Sequence, residues 1–166
     1  IVTIDDPKSY NMDKFLNDFQ GIENDYVLYV FSSKEFSISH DEIIMQFNEL
    51  KSKRNPYHIS KINETNFWRK RNDEFILYVG SKEKDIKKRM KEHLGLNTNN
   101  RSTYSLFIKD WWPNNVALTI KIWSLEKSIG ETDRYEALQI IEDLIWDDLK
   151  PLFGKKGATF NKKHYT

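Results

Sequence analysis

The segment "FILYVGSKEKDIKKRMKEHLG", residues 75–95, constrains the fold of this chain more than any other stretch. An apolar, aromatic run typical of a buried strand ends at Gly80, and a lysine-rich stretch with helical spacing follows at once. With Ile86 as the reference direction, His93 lies at roughly −20° and Arg89 at roughly −60° on a helix that turns ~100° per residue. The segment therefore predicts a strand, a turn, and a helix whose inward face holds an arginine and a histidine.

The rest of the chain alternates irregularly between strand-like and helix-like stretches. Apolar periodicity and capping signals predict helices at residues 11–19, 39–50, 84–94, 102–111 and 132–149, and strands at 26–31, 75–79 and 116–125, with a further strand candidate in "YHISKI" at 57–62. This order indicates a mixed α+β fold with a small, three-stranded, antiparallel sheet flanked by helices. Because no linker or repeat divides the chain, we expect a single domain over residues 1–166.

Composition excludes several classes of protein. Cysteine is absent, which excludes disulfides and thiolate metal sites and predicts a reducing, cytoplasmic location. Charged residues make up 31% of the chain, and no apolar run approaches the roughly 20 residues that span a bilayer, so we expect no membrane partner. Since the chain begins with Ile1 rather than Met, we also expect an upstream segment or recognition domain.

Basic residues are clustered, although the formal net charge of +1 does not by itself predict a nucleic-acid partner. Lysine and arginine outnumber acidic residues between positions 82 and 93, and residues 155–163 contain lysines and no acid. Several basic patches on one domain are able to follow a phosphate backbone. Each patch taken alone is as well explained by a solvated surface.

One acidic residue stands inside an apolar helical stripe. With Leu138 as the reference direction, Ile145 lies at roughly −20°, Leu149 at roughly +20° and Glu142 at roughly +40°. A carboxylate in such a position destabilises the fold unless it is paired, protonated or bound to a cation. A buried ion pair and a metal ligand are therefore both open interpretations of Glu142.

Taken together, these residues resemble the GIY-YIG nuclease superfamily. Its first motif is matched by "VLY", which ends at Tyr29, and its second by "YVG", which begins at Tyr78. The arginine and histidine of the family's next helix are matched by Arg89 and His93. Its essential glutamate, followed by Leu-Ile and a proline, is matched by Glu142 in "EDLIWDDLKP".

Two positions depart from the family pattern in residue type. Val27 replaces the first glycine of the first motif. Gly154 stands where the family has an asparagine shortly after Lys-Pro, and Asn161 is a candidate to replace that asparagine.

A third departure concerns spacing. Tyr29 and Tyr78 are separated by many more residues than the family motifs usually are, so residues of about 32–72 would form a helical insertion within the domain. Tyr57, in "PYHIS", is therefore an alternative to Tyr29 as the first tyrosine.

The resemblance implies a metal-dependent endonuclease that hydrolyses DNA phosphodiester bonds, of the defence, mobile-element or repair type, with double-stranded DNA as its partner. It implies one Mg²⁺ or Mn²⁺ held by Glu142 and water, and an arginine, Arg89, that binds the phosphate oxygens. Tyr29, with Tyr78 beside it, would take a proton from the attacking water with His93 in support. A base role for His93 itself is the alternative, because a phenol is a weak base at neutral pH.

Other residues are expected to contact nucleic acid, namely Gly80, Lys82, Lys88 and Asn161. The departures motivate a second hypothesis, a catalytically degenerate module of the same fold that only binds nucleic acid or protein. A third, a nuclease that clusters Asp, Glu and Lys at a sheet edge, rests only on Glu126-Lys127 and lacks an upstream Asp. Under the first hypothesis, Arg89→Ala is expected to abolish cleavage and to leave the thermal transition nearly unchanged.

Overall fold

The computed structural model of the chain describes residues 1–34, 39–53, 62–63, 70–96 and 105–154. These ranges contain strands and helices in the order β1 (Val2–Ile4), α1 (Met12–Asp18), β2 (Val27–Ser33), α2 (His40–Lys53), β3 (Lys70–Arg71), β4 (Glu74–Lys82), α3 (Ile86–Leu94), α4 (Ile108–Trp111), β5 (Leu118–Ser124) and α5 (Glu131–Leu149). The predicted α+β class is confirmed. Among the helices of these ranges, none combines the length and the apolar character needed to cross a bilayer.

The described strands form one sheet in the order β1-β5-β2-β4-β3, in which all neighbours are antiparallel. The prediction of three strands is wrong in number, because β1 and β3 add one strand at each edge. These strands are three and two residues long, which is too short to show an alternating pattern in the sequence. The central strand β2 is buried along its whole length, since packed layers cover both of its faces.

The register of β2 against β4 decides which side chains share a face. Tyr29 lies opposite Gly80 and Phe31 opposite Tyr78, whereas Val30 lies opposite Val79. Because successive side chains of a strand point to opposite faces, both tyrosines lie on one face and the two valines on the other. This pairing brings together two motifs that are far apart in the sequence.

Helices cover the two faces separately. Apolar residues of α3 pack with Tyr29 and Phe31 in the main core, whereas apolar residues of α5 pack against Leu28, Val30 and Val79 on the opposite face. The members of this second layer are Leu138, Ile141, Ile145, Trp146 and Leu149. The two helices that hold the predicted functional residues therefore lie on opposite sides of the sheet.

The insertion contributes to the same core. Its helix α2 buries Ile43, Phe47 and Leu50, and the Phe47 ring lies 4.4 Å from Phe153 and 5.3 Å from Trp111, measured between ring centroids. The predicted strand in "YHISKI" falls outside the described residues except at its last position. The part of the insertion that is described is thus packed into the domain rather than standing apart from it.

The helix predicted at residues 102–111 is present only as the short α4. Ser105 forms an isolated bridge, and Phe107 has a left-handed backbone with φ of 50°, which excludes a helix that continues through it. The helical prediction is therefore wrong at residues 105–107. This extended stretch instead runs beside α3, where it contacts the predicted site.

Candidate active site

Two tyrosines and a histidine form a buried cluster between β2, β4 and α3. The Tyr29 and Tyr78 rings are stacked with centroids 6.1 Å apart, and the His93 ring lies 4.6 Å from that of Tyr78. Tyr29 is only 1% exposed and His93 is fully buried, whereas Tyr78 is half-buried. The sequence prediction that these three residues meet is supported by their observed positions.

The hydrogen bonds of His93 define its tautomer. The backbone N–H of Leu106 donates to Nδ1 of His93 at 3.3 Å, so a neutral imidazole carries its proton on Nε2. Nε2 lies 3.2 Å from the Tyr29 hydroxyl oxygen and therefore donates to it. Burial, assisted by the charge of Arg89, holds the pKa of His93 well below its ordinary value, so the ring stays neutral.

The lowered pKa of His93 predicts a loss of stability in acid. As pH falls through about 6.5, the unfolded chain takes up a proton that buried His93 does not, so the unfolding free energy falls by up to about 1.4 kcal/mol per pH unit. His93→Gln removes this proton uptake. Urea unfolding at two pH values, about 7.5 and 5.5, should therefore show a smaller decrease for the variant than for the wild type. Equal decreases would mean that His93 takes up a proton in the folded protein.

The two phenols differ in their surroundings. Burial raises the pKa of Tyr29, with a further raising effect from Tyr78, and Arg89 acts in the opposite direction. Tyr29 is therefore a neutral phenol in this state of the protein. The Tyr78 hydroxyl lies beside the Arg89 guanidinium on a more exposed side chain.

Two glycines make room for these rings. A Cβ atom at Gly80 would lie 2.6 Å from the Tyr29 hydroxyl oxygen and 2.7 Å from the Tyr78 ring. Gly154, which has φ of +92°, would place a Cβ 2.8 Å from the Tyr78 ring. The lack of a side chain at Gly80 thus has a packing role, and its predicted contact with nucleic acid stays a prediction. The position that departs from the family asparagine, Gly154, lies directly against a site tyrosine.

Replacing Gly80 with alanine should destabilise the protein. The added methyl group overlaps the rings of Tyr29 and Tyr78, and overpacking of this kind costs about 1–3 kcal/mol. The control is Gly130→Ala, because a Cβ at Gly130 meets its nearest neighbour at an ordinary 3.8 Å. Thermal unfolding should show a clearly lower Tm for Gly80→Ala and a much smaller decrease for the control, in which alanine replaces the N-cap glycine of α5. An unchanged Tm in Gly80→Ala, or equal decreases in the two variants, would contradict the observed packing.

Arg89 joins α3 to both β4 and the segment that follows α3. Its Nη1 donates to Glu92 at 3.2 Å and to Ser105 at 3.1 Å, and its Nη2 lies 3.5 Å from the Tyr78 hydroxyl. Burial opposes the charged form, but the oxygens of Tyr29 and Tyr78 favour it more, and the pKa of Arg89 lies above its ordinary value. The guanidinium is therefore a permanent positive charge at the edge of the tyrosine cluster.

Glu142 lies on the opposite face of the sheet from the tyrosine cluster. Its Oε2 accepts a hydrogen bond from the Ser81 hydroxyl, which alternates in direction with Gly80 on β4. Gln139, one turn earlier on α5, donates to the same hydroxyl at 3.4 Å. The described residues include no ion-pair partner of Glu142.

The charges of Glu142 and the tyrosine cluster act on each other. Burial raises the pKa of Glu142, and Arg89 acts in the opposite direction, while the Glu142 charge adds to the factors that raise the pKa of Tyr29. The residues that the sequence assigns to one site are therefore observed in two groups. Tyr29, Tyr78, Arg89 and His93 form a connected cluster, and Glu142 lies close enough for electrostatic coupling without a direct bond to it.

A cavity of about 150 Å³ opens beside Arg89. Its lining includes three lysines, Lys82, Lys84 and Lys88, and three acidic residues, Glu83, Asp85 and Glu92. Lys82 and Lys88, which are expected to contact nucleic acid, thus lie at the same opening as the predicted phosphate-binding arginine, in surroundings of mixed charge. The other two candidates, Asn161 and Tyr57, lie outside the described residues.

Sequence reasoning missed three residues that contact the predicted site, namely Ser81, Glu92 and Ser105. Ser81 directly follows the second motif, and this position was the available signal for it. Glu92 lies three residues after Arg89, a spacing at which helical side chains meet. No local pattern marks Ser105, because its contact is made across the fold.

Comparison with family models, with curated proteins and with solved structures returned no match. The functional assignment of this chain therefore rests on its own residues and their geometry.

Proposed function

We propose that this protein is a metal-dependent endonuclease of the GIY-YIG type, which hydrolyses phosphodiester bonds of double-stranded DNA. The observation that supports this most is the meeting of Tyr29, Tyr78, Arg89 and His93, which come from three separate elements. The sequence pattern predicts each of these four residues as part of one site. If the four residues had only separate structural roles, there would be no reason for them to lie in one cluster.

Arg89 would bind the phosphate. A guanidinium is planar and donates several hydrogen bonds, which suits the non-bridging oxygens on which negative charge increases in the transition state. Arg89 stays charged and borders a cavity that is also lined by Lys82 and Lys88. These lysines would contact neighbouring phosphates of the same strand, while Glu83 and Asp85 in the same lining offset part of their charge.

Glu142, with the Ser81 hydroxyl beside it, would hold a divalent cation. Around it the described residues offer no group of three or more His, Cys, Asp or Glu side chains. This set fits Mg²⁺, which keeps most of its water ligands and needs only one or two protein carboxylates. A partly buried carboxylate for which the described part of the chain supplies no ion-pair partner is also the kind of group that gains from a bound cation. When bound, Mg²⁺ or Mn²⁺ would polarise the scissile phosphate and stabilise the leaving 3′ oxygen.

The observed burial favours Tyr78 over Tyr29 as the phenol that contacts the attacking water. Tyr29 is 1% exposed and its oxygen already accepts from His93. His93 is fully buried, and both of its ring nitrogens are engaged, which makes it a poor candidate for the base. In this arrangement His93 would fix the orientation of Tyr29, and Tyr29 would support the ring of Tyr78.

Removing the two hydroxyl groups separately should distinguish these roles. Tyr78→Phe removes a group that contacts the reacting atoms and should reduce the cleavage rate by about 100-fold or more. Tyr29→Phe removes a buried support and should have a smaller effect. Tyr26→Phe is the matched control, because its hydroxyl bonds to Glu131 outside the cluster. Single-turnover cleavage rates measure all three, and a larger loss in Tyr29→Phe would reverse the assignment.

Incubation with supercoiled plasmid DNA tests the function itself. We expect nicked or linear DNA with Mg²⁺ or Mn²⁺, and intact plasmid with EDTA. Binding of DNA without cleavage under any of these conditions would support the alternative, a catalytically degenerate binding module. That alternative is favoured by one observation, the presence of Gly154 rather than an asparagine against the Tyr78 ring.

A further inference from the structure

The side chain of Arg89 is held from two directions. Glu92 lies three residues later on the same helix, and its Oε2 is 3.2 Å from Nη1 of Arg89. Ser105 belongs to the segment before α4, and its hydroxyl is 3.1 Å from the same nitrogen. The Arg89 and Glu92 side chains are 10% and 5% exposed, and Ser105 is fully buried. The contacts are therefore shielded from water, which would otherwise compete for the same hydrogen bonds.

Because of the geometry of a guanidinium, contacts to one of its nitrogens also fix where the other nitrogen lies. Nη1 carries two hydrogens, and Glu92 and Ser105 provide two acceptors for it. The group is planar, so fixing Nη1 also fixes the plane and the position of Nη2. Nη2 is the nitrogen that lies next to the Tyr78 hydroxyl. A substrate oxygen that binds beside Tyr78 would thus meet Nη2 rather than Nη1.

The contact with Ser105 connects Arg89 to a segment outside its own helix, which helix geometry alone does not do. An ion pair at i and i+3 forms within one helix whatever lies around it, and on an exposed surface it contributes little. Ser105 instead ties the guanidinium to a different segment, which also provides the Leu106 N–H that fixes His93. One short segment, residues 105–106, therefore orients both polar side chains that α3 directs at the tyrosines.

We propose that Glu92 and Ser105 are positioning residues, which hold the Arg89 guanidinium in the plane that presents Nη2 toward Tyr78 and an incoming phosphate oxygen. This inference rests on the proposed nuclease function for its purpose, but the restraint on Arg89 is a separate physical property. Preorganised donors stabilise a transition state without reorganising during the reaction. Loss of either partner should let the guanidinium rotate and should misplace Nη2.

The first measurement does not depend on activity. In protein labelled with ¹⁵N-arginine, a held guanidinium gives separate Nη1 and Nη2 signals because rotation about Nε–Cζ is slow. We expect separate signals for Arg89 in the wild type and averaged signals in Glu92→Ala and Ser105→Ala, which each remove an acceptor. Glu49→Ala is the matched control, because Glu49 also forms a helical ion pair, with Lys53, but both partners are exposed. Separate signals in both test variants would overturn the inference, whatever the protein does to DNA.

The second measurement links the restraint to cleavage. A displaced donor typically costs up to about 100-fold in rate, so Glu92→Ala and Ser105→Ala should slow single-turnover cleavage by about 10- to 100-fold with little change in DNA affinity. In an Arg89→Lys background the same substitutions should have almost no further effect, because the group they position is gone. Equal effects in both backgrounds would show a general structural role and would contradict the proposal. If the wild type does not cut DNA at all, the nuclease proposal fails, while the NMR result still decides whether Arg89 is held.

Discussion

Replacing Arg89 with alanine should reduce DNA cleavage by at least about 100-fold, because the variant loses a donor to the charge that develops on the phosphate. It should also destabilise the fold, which differs from the expectation drawn from the sequence. Glu92 would lose the buried cation that lies 3.2 Å from it, and breaking a buried pair from one side costs up to about 3–5 kcal/mol. Plasmid cleavage and urea unfolding of the same preparation measure the two effects.

Two controls separate these effects. Arg89→Lys keeps a positive charge beside Glu92 and should recover most of the stability, but it lacks the planar group and should still cleave slowly. Lys53→Ala breaks an exposed ion pair with Glu49 and should change the unfolding free energy by less than about 1 kcal/mol. Full activity in Arg89→Ala would remove the arginine from the proposed mechanism.

Replacing Glu142 with glutamine should abolish Mg²⁺-dependent cleavage and leave the protein at least as stable as the wild type. Lewis-acid stabilisation of the transition state is worth several kcal/mol, so loss of the carboxylate proposed to hold the cation should cost at least about 100-fold in rate. Glutamine keeps an oxygen acceptor for the Ser81 hydroxyl. The measurements are cleavage with Mg²⁺ and the thermal transition without it.

The pH dependence of Glu142→Gln follows from the raised pKa of Glu142. When pH increases above 4.5, the ordinary value, the unfolded state ionises before the folded state does. The unfolding free energy of the wild type therefore falls as pH increases through this window. Glutamine does not ionise, so the Tm of the variant should exceed that of the wild type more at neutral pH than at about pH 4. Glu136→Gln, an exposed residue of α5, is the matched control. A Tm difference that decreases with increasing pH would contradict the raised pKa.

The parts of the fold that sequence reasoning predicted are those with long, regular patterns. The 3.6-residue periodicity of α3 placed Arg89 and His93 on the side that faces the sheet, and both are buried there. The same reasoning placed Glu142 inside the apolar stripe of α5, where it is half-buried. These predictions succeeded because the apolar side of each helix packs against the sheet.

The remaining features depend on contacts that no local pattern encodes. Glu92 falls at roughly −120° from Ile86 on the α3 wheel, outside the expected buried face. It is nevertheless 4% exposed, because α3 is covered on a second side. The residues of β2 that lie beside Tyr78 and Ser81 are decided by a register that is fixed only when β2 pairs with β4. A helical wheel, or the alternation of side chains along a strand, describes one element at a time. It does not include the contacts that neighbouring elements make.

The pairing of β2 with β4 also has an evolutionary consequence. Hydrogen-bonded strands hold Tyr29 and Tyr78 together, so the number of residues that connect the strands does not set the distance between the phenols. Closing a longer connection is inexpensive, since each doubling of its length costs only about 0.6 kcal/mol. The length of this connection is therefore free to change among descendants of the chain without separating the two phenols. The residues of α2 that pack into the core, such as Phe47, are constrained by that packing instead.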